Sequence, residues 1–71
     1  VNRVNPKKLL NSKWTVVKPV NKEKHFIIVE VEYDEDATVD ECIIEAVMTK
    51  RRWSLDWRDL NNSSLWLAGW K

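Results

Sequence analysis

The 71 residues include one cysteine, one histidine and one glycine beside five tryptophans, and the formal net charge is +1. These counts exclude an internal disulfide, a four-ligand zinc site and a glycine-rich phosphate loop. A chain this short buries only about 60% of its unfolded surface, so its core must lean on large rings, each removing roughly 150–250 Å² from water.

In chain order, Asn5-Pro6 reads as a helix start, with asparagine as cap and proline in the first position, where no amide bond is lost. One helical turn is expected over Lys7 to Leu10, anchored by Leu9 and Leu10. A first strand near 13–18 places Trp14 and Val16 on one face and Thr15 and Val17 on the other, and Pro19 is expected to stop it. Asn21 to Lys24 is a polar loop.

The second strand spans His25 to Tyr33, with Ile27, Val29, Val31 and Tyr33 as an apolar stripe. Its alternate positions begin apolar (Phe26, Ile28) and end charged (Glu30, Glu32), so the first half is expected to be covered on both faces. Asp34 to Thr38 forms an acidic hairpin loop. A third strand over about 39–49 carries the stripe Cys42, Ile44, Ala46 and Met48. The basic turn Thr49-Lys50-Arg51-Arg52 leads into a fourth strand over 52–57, where Trp53, Leu55 and Trp57 alternate with polar residues. Asp59 to Ser64 is a cap-rich loop. Leu65 to Ala68 is expected to be a short helix closed by Gly69, with Trp70 just beyond it and free to fold back over the sheet.

The fold expected is mainly β: a four-stranded antiparallel meander in one small domain spanning 1–71, with short helical turns at both ends. It is either strongly twisted and partly rolled in the SH3-like manner, or one-faced and covered by the terminal segments. No stretch approaches the ~20 apolar residues of a membrane span, and VNRVNPKKLL lacks a signal-peptide apolar region. A cytoplasmic location is therefore expected, in keeping with a lone, buried Cys42.

Charge is sharply segregated along the chain. Residues 1–24 carry seven bases against Glu23 alone, residues 25–49 carry eight acids and no base, and residues 50–71 carry five bases and two acids. Such asymmetry bears on association and steering. Oppositely charged strands lying side by side would account for it without any partner.

The stretches Asn5-Pro6-Lys7-Lys8-Leu9-Leu10, Ser12-Lys13-Trp14-Thr15, Glu23-Lys24-His25-Phe26, Glu45-Ala46-Val47, Thr49-Lys50-Arg51 and Gly69-Trp70-Lys71 together resemble a small tryptophan-rich family of bacterial proteins without an assigned function. The resemblance implies a bacterial, cytoplasmic small domain and brings no ligand or catalytic residue with it.

No catalytic constellation emerges. Nucleophilic catalysis would have to use His25 with Cys42 or a hydroxyl, and an antiparallel hairpin around Asp36 does not set His25 opposite Cys42. The acids from Glu30 to Glu45 lack calcium-loop spacing. The expectation is a non-enzymatic binding module without metal or cofactor. Trp14, Trp57 and Trp66 are expected in the core, leaving Trp53 beside the basic turn. A surface of Lys7, Lys8, Lys13, Lys50, Arg51, Arg52 and Trp53 would suit single-stranded nucleic acid, through cations for phosphates and a ring for a base. The alternative is a protein partner or a second copy, held by an open sheet edge or a tryptophan patch.

Overall fold

In the computed structural model, which describes residues 2–71, the strands are β1 (Lys13–Val20), β2 (Glu23–Tyr33), β3 (Val39–Ala46), β4 (Arg52–Ser54) and β5 (Trp66–Ala68). They form one antiparallel sheet in the order β4-β3-β2-β1-β5. Single 3-10 turns stand at Pro6–Lys8 and Trp57–Asn61. The mainly-β meander is present as β1 to β4, with a fifth strand added at the outer side of β1. Because β4 and β5 remain as separate edges, the sheet does not close as an SH3-like barrel would. No helix among the described residues is long and apolar enough to cross a membrane.

Several boundaries differ from the sequence reading, each for a physical reason. Leu65 to Ala68 is not a helix. Trp66, Leu67 and Ala68 pair with Val16, Thr15 and Trp14, supplying partners that the outer side of β1 would otherwise lack. The first strand runs past Pro19, because the β1–β2 register breaks between Thr15 and Val20 and proline there interrupts no ladder bond. The third strand ends at Ala46, and Val47 to Thr49 already belong to the turn. The fourth strand ends at Ser54, since the Asp56 side chain accepts from the Arg58 amide and caps the second 3-10 turn.

Residues opposite one another in the ladders share a face. One face carries Trp14, Phe26 and Ala46, then Ile28, Ile44 and Trp53, then Trp66 with Val16. Leu9, from the end of the first 3-10 turn, and Leu60, from the second, are fully buried in this core together with Cys42. Asn2 holds the two terminal segments together: its amide donates to the Asn61 carbonyl, and its side chain donates to the carbonyls of Leu60 and Trp66. Phe26 sits at the centre, with Trp53 and Trp66 edge-on at 5.6 and 5.1 Å between centroids. Of the expected core tryptophans, Trp14 and Trp66 are buried; Trp57 is half-buried, and its indole N–H has no acceptor among the described residues.

The stripe on β2 changes phase partway along. Ile28 pairs with Ile44 and Val31 with Cys42, so Val29 is an extra residue, a β-bulge. Phe26 and Ile28 therefore point inward before the bulge, and Val31 takes over after it. The other face of the sheet carries Lys13, Ile27, Glu45 and Arg52 in one row, with Thr15, His25 and Leu67 in the next. The tail Gly69 to Lys71 crosses it.

Candidate functional site

The β1–β2 hairpin and the turn after β3 meet at one end of the sheet. Asn21 and Lys22 both have positive φ, the geometry of a two-residue hairpin, and Lys50 has φ 63 at the tip of the other turn. Glu23 ties the two together. Its carboxylate accepts from both Nε and Nη2 of Arg51 and from the Thr49 hydroxyl, while the Val47 amide donates to the His25 carbonyl. Those bonds, from Arg51 first and Thr49 second, hold the buried Glu23 carboxyl below its ordinary pKa.

A groove of about 200 Å³ opens at this end, lined by Val16, Val20, Phe26, Trp53 and Trp66, with Lys18 and Arg51 on its rim. The Arg51 guanidinium lies over the Trp53 ring, 4.9 Å from its centroid. Arg52 is paired with Glu45 at 2.8 Å. The two acids of this end are thus committed to the two arginines. Lys18, Lys22, Lys24 and Lys50 have no carboxylate partner among the described residues. Lys22 and Lys50 also occupy left-handed backbone, where glycine or asparagine would sit with less strain. The acidic loop Asp34 to Ala37 closes the β2–β3 hairpin at the opposite end of β2, and the molecule is 37 Å in its longest dimension.

The seven residues singled out from the sequence do not form one patch. Lys50, Arg51, Arg52 and Trp53 stand together, although Arg52 points to the open face and Trp53 to the covered one. Lys7 lies beside Tyr33 and Ala37, because the Tyr33 hydroxyl donates to the Pro6 carbonyl and brings that turn to the acidic end. Lys8 and Lys13 line a separate hollow with Arg3 and Trp14. Sequence reading missed Lys18, Lys22 and Lys24 as members of the basic end. The signal was there in Asn21-Lys22, a hairpin pair that brings its flanking lysines to the end of the sheet.

On the open face the tail is held at five points, the first being the Gly69 amide, which donates to the Lys13 carbonyl. The Thr15 hydroxyl donates to the Gly69 carbonyl and accepts from the Lys71 amide; the Trp70 indole donates to the Phe26 carbonyl; His25 Nε2 meets the Lys71 carbonyl at 3.0 Å. Gly69, at φ 81, makes the reversal that lays Trp70 on the sheet as anticipated. Lys13 Nζ stands 5.4 Å from the Trp70 ring centroid and the His25 ring 6.0 Å from it.

His25 and Cys42 do not meet. Cys42 pairs with Val31 within the covered core, and burial, with Glu41 nearby, pushes its thiol up to about 11. A thiol so buried and so weakly acidic is a poor nucleophile.

No curated protein and no solved structure matches the chain. The stretch Asn5 to Leu10 lies outside the family match, which begins where the first strand is about to form. By that match, over residues 12–71, the chain belongs to the tryptophan-rich protein family (DUF2389).

Proposed function

We propose that the protein is a non-enzymatic binding module of the bacterial cytoplasm that takes single-stranded nucleic acid at its basic end. The observation that carries this reading is the gathering of cations at one end of the sheet: Lys18 and Arg51 line the aromatic groove, Lys22 and Lys24 line a second hollow beside it, and Lys50 stands in the adjoining turn, the four lysines having no carboxylate partner among the described residues. Cations track phosphates, and an arginine plane backed by a tryptophan offers a stacking surface for a base. The lone buried thiol supports a reducing compartment.

The lysines, rather than the arginines, are the residues to reverse. Arg51→Glu would set a carboxylate against Glu23 and disturb the joint between the two turns. The test is fluorescence anisotropy of labelled single-stranded RNA and DNA at low and moderate salt, comparing the native chain with a Lys22→Glu, Lys24→Glu, Lys50→Glu variant. Binding is expected to weaken steeply with salt and to fall at least tenfold in the variant. Absence of binding at low salt, or equal binding by the variant, overturns the reading and favours a protein partner.

A further inference from the structure

Resting on that reading, we infer that the strand does not end at the basic turns but crosses the open face of the sheet, with Trp70 as its stacking platform. Trp70 is 45% exposed, yet its indole N–H is bonded to the Phe26 carbonyl at 2.9 Å and its backbone is clamped by Thr15. A large ring held rigid and left nearly half in water is unfavourable for the free protein. It is the arrangement that lets a base stack without ordering the ring first.

Two residues approach this ring, His25 from β2 and Lys13 from β1. His25, 6.0 Å away, also lines a hollow of about 320 Å³ with Lys22, Lys24, Val47 and Met48. That hollow adjoins the Lys50 turn, and Met48, 74% exposed, is a soft apolar surface within it. Lys13, 5.4 Å from the ring, also lines the hollow that holds Arg3 and Lys8. Shared residues thus join three patches into one track, from Lys22 and Lys24 through His25 and Trp70 to Lys13 and Lys8. The nearest acid in the adjoining ladder row, Glu45, is already paired with Arg52. Two of the lysines first read from the sequence, Lys8 and Lys13, find their place at the far end of this track, away from Trp53.

The decisive experiment compares two ligands of about twelve units, within the range single-stranded modules cover: an oligothymidylate and an abasic phosphodiester strand of equal length. Trp70→Ala is expected to weaken oligothymidylate binding about tenfold and to leave abasic binding unchanged, because only the former has bases to stack. A variant that failed to fold would lose both ligands, so unchanged abasic binding doubles as the folding control. Lys13→Glu, at an exposed site, is expected to weaken both ligands and to flatten the log–log salt slope by about 0.7 for each phosphate no longer neutralised. If the native chain binds neither strand, the nucleic-acid reading itself fails. If it binds and the lysine-reversal variant loses binding, while Trp70→Ala and Lys13→Glu bind like the native chain, the basic end stands and the track is overturned. Equal loss of both ligands in Trp70→Ala, with a cooperative urea transition showing the variant still folded, also overturns stacking on this ring.

Discussion

Trp66 and Trp70 lie four residues apart and do opposite things. Trp66 is 8% exposed, edge-on to Phe26 and under the terminal segments. Trp70 is 45% exposed on the other side of the same sheet, with the Lys13 ammonium over its ring and the His25 ring beside it. Strand alternation alone would send both rings to one face, because the side-chain period is two. Gly69 breaks that rule with a positive φ and turns the chain over the sheet. The difference teaches that tryptophan content by itself says little here. One face uses its rings to build a core from few residues, and the other leaves a ring where a partner can reach it.

The strongest way to break this division is truncation on the covered face. Trp66→Ala is expected to cost about 3–5 kcal/mol, a large share of what so small a domain has, and can unfold it. Trp70→Ala loses one hydrogen bond and a half-exposed ring, and is expected to cost about 1 kcal/mol. Urea titrations of both variants check this; similar losses would mean that the open face is core as well.

Next in size is the reactivity of Cys42. With its thiol pushed up to about 11 from an ordinary value of 9.0, the thiolate fraction at mildly alkaline pH drops about a hundredfold. Labelling by a thiol reagent is expected to be slower by at least that factor in the native protein than in urea. Native labelling at the denatured rate would show that the covered face opens readily.

Lys50→Gly sharpens the contrast by reversing its sign. Lys50 sits at φ 63, and glycine is expected to relieve strain and stabilise the fold by about 0.5–1 kcal/mol while weakening nucleic-acid binding. Gain of stability with unchanged binding would remove Lys50 from the functional end.

Much of the covered face was legible in the sequence. The alternation through Cys42, Ile44 and Ala46 and the core roles of Trp14 and Trp66 follow from period and burial demand, and all are found. Met48 fell out of its stripe because β3 ends at Ala46. The bulge at Val29 was also written in the chain, as a change from inward Phe26 and Ile28 to inward Val31, but a single unbroken stripe was the simpler pattern. Leu65 to Ala68 was not legible: four apolar residues fit either period, and only the unpaired outer side of β1 decides for a strand. The site was half legible for a related reason. Charge runs mark where cations lie along the chain, whereas their convergence depends on which turns the sheet brings to the same end. Glu23, the one acid in the basic N-terminal third, looked incidental and is the joint of that end.

Glu23→Gln tests that joint with the smallest expected change. Arg51, and after it Thr49, hold the folded-state carboxyl below its ordinary value of 4.5. A depressed folded value means the ionised group stabilises the fold fully above the unfolded pKa. That contribution is lost as pH falls through the folded value. Glu23→Gln removes it at all pH, and a protonated glutamate resembles glutamine. The stability gap between native and variant chains is therefore expected to be widest near neutrality and to close on acidification below about 4.5. Urea midpoints at about pH 7, 4.5 and 3 would show it. A gap that stays constant across that range would mean Glu23 acts through packing alone. The same variant strips Arg51 of its carboxylate, leaving one more unpaired cation beside Trp53. Single-stranded nucleic acid is expected to bind it as tightly as the native chain or tighter, even as the fold weakens. Binding that falls in step with stability would instead mean that the groove needs the Glu23–Arg51 joint intact to present its rim.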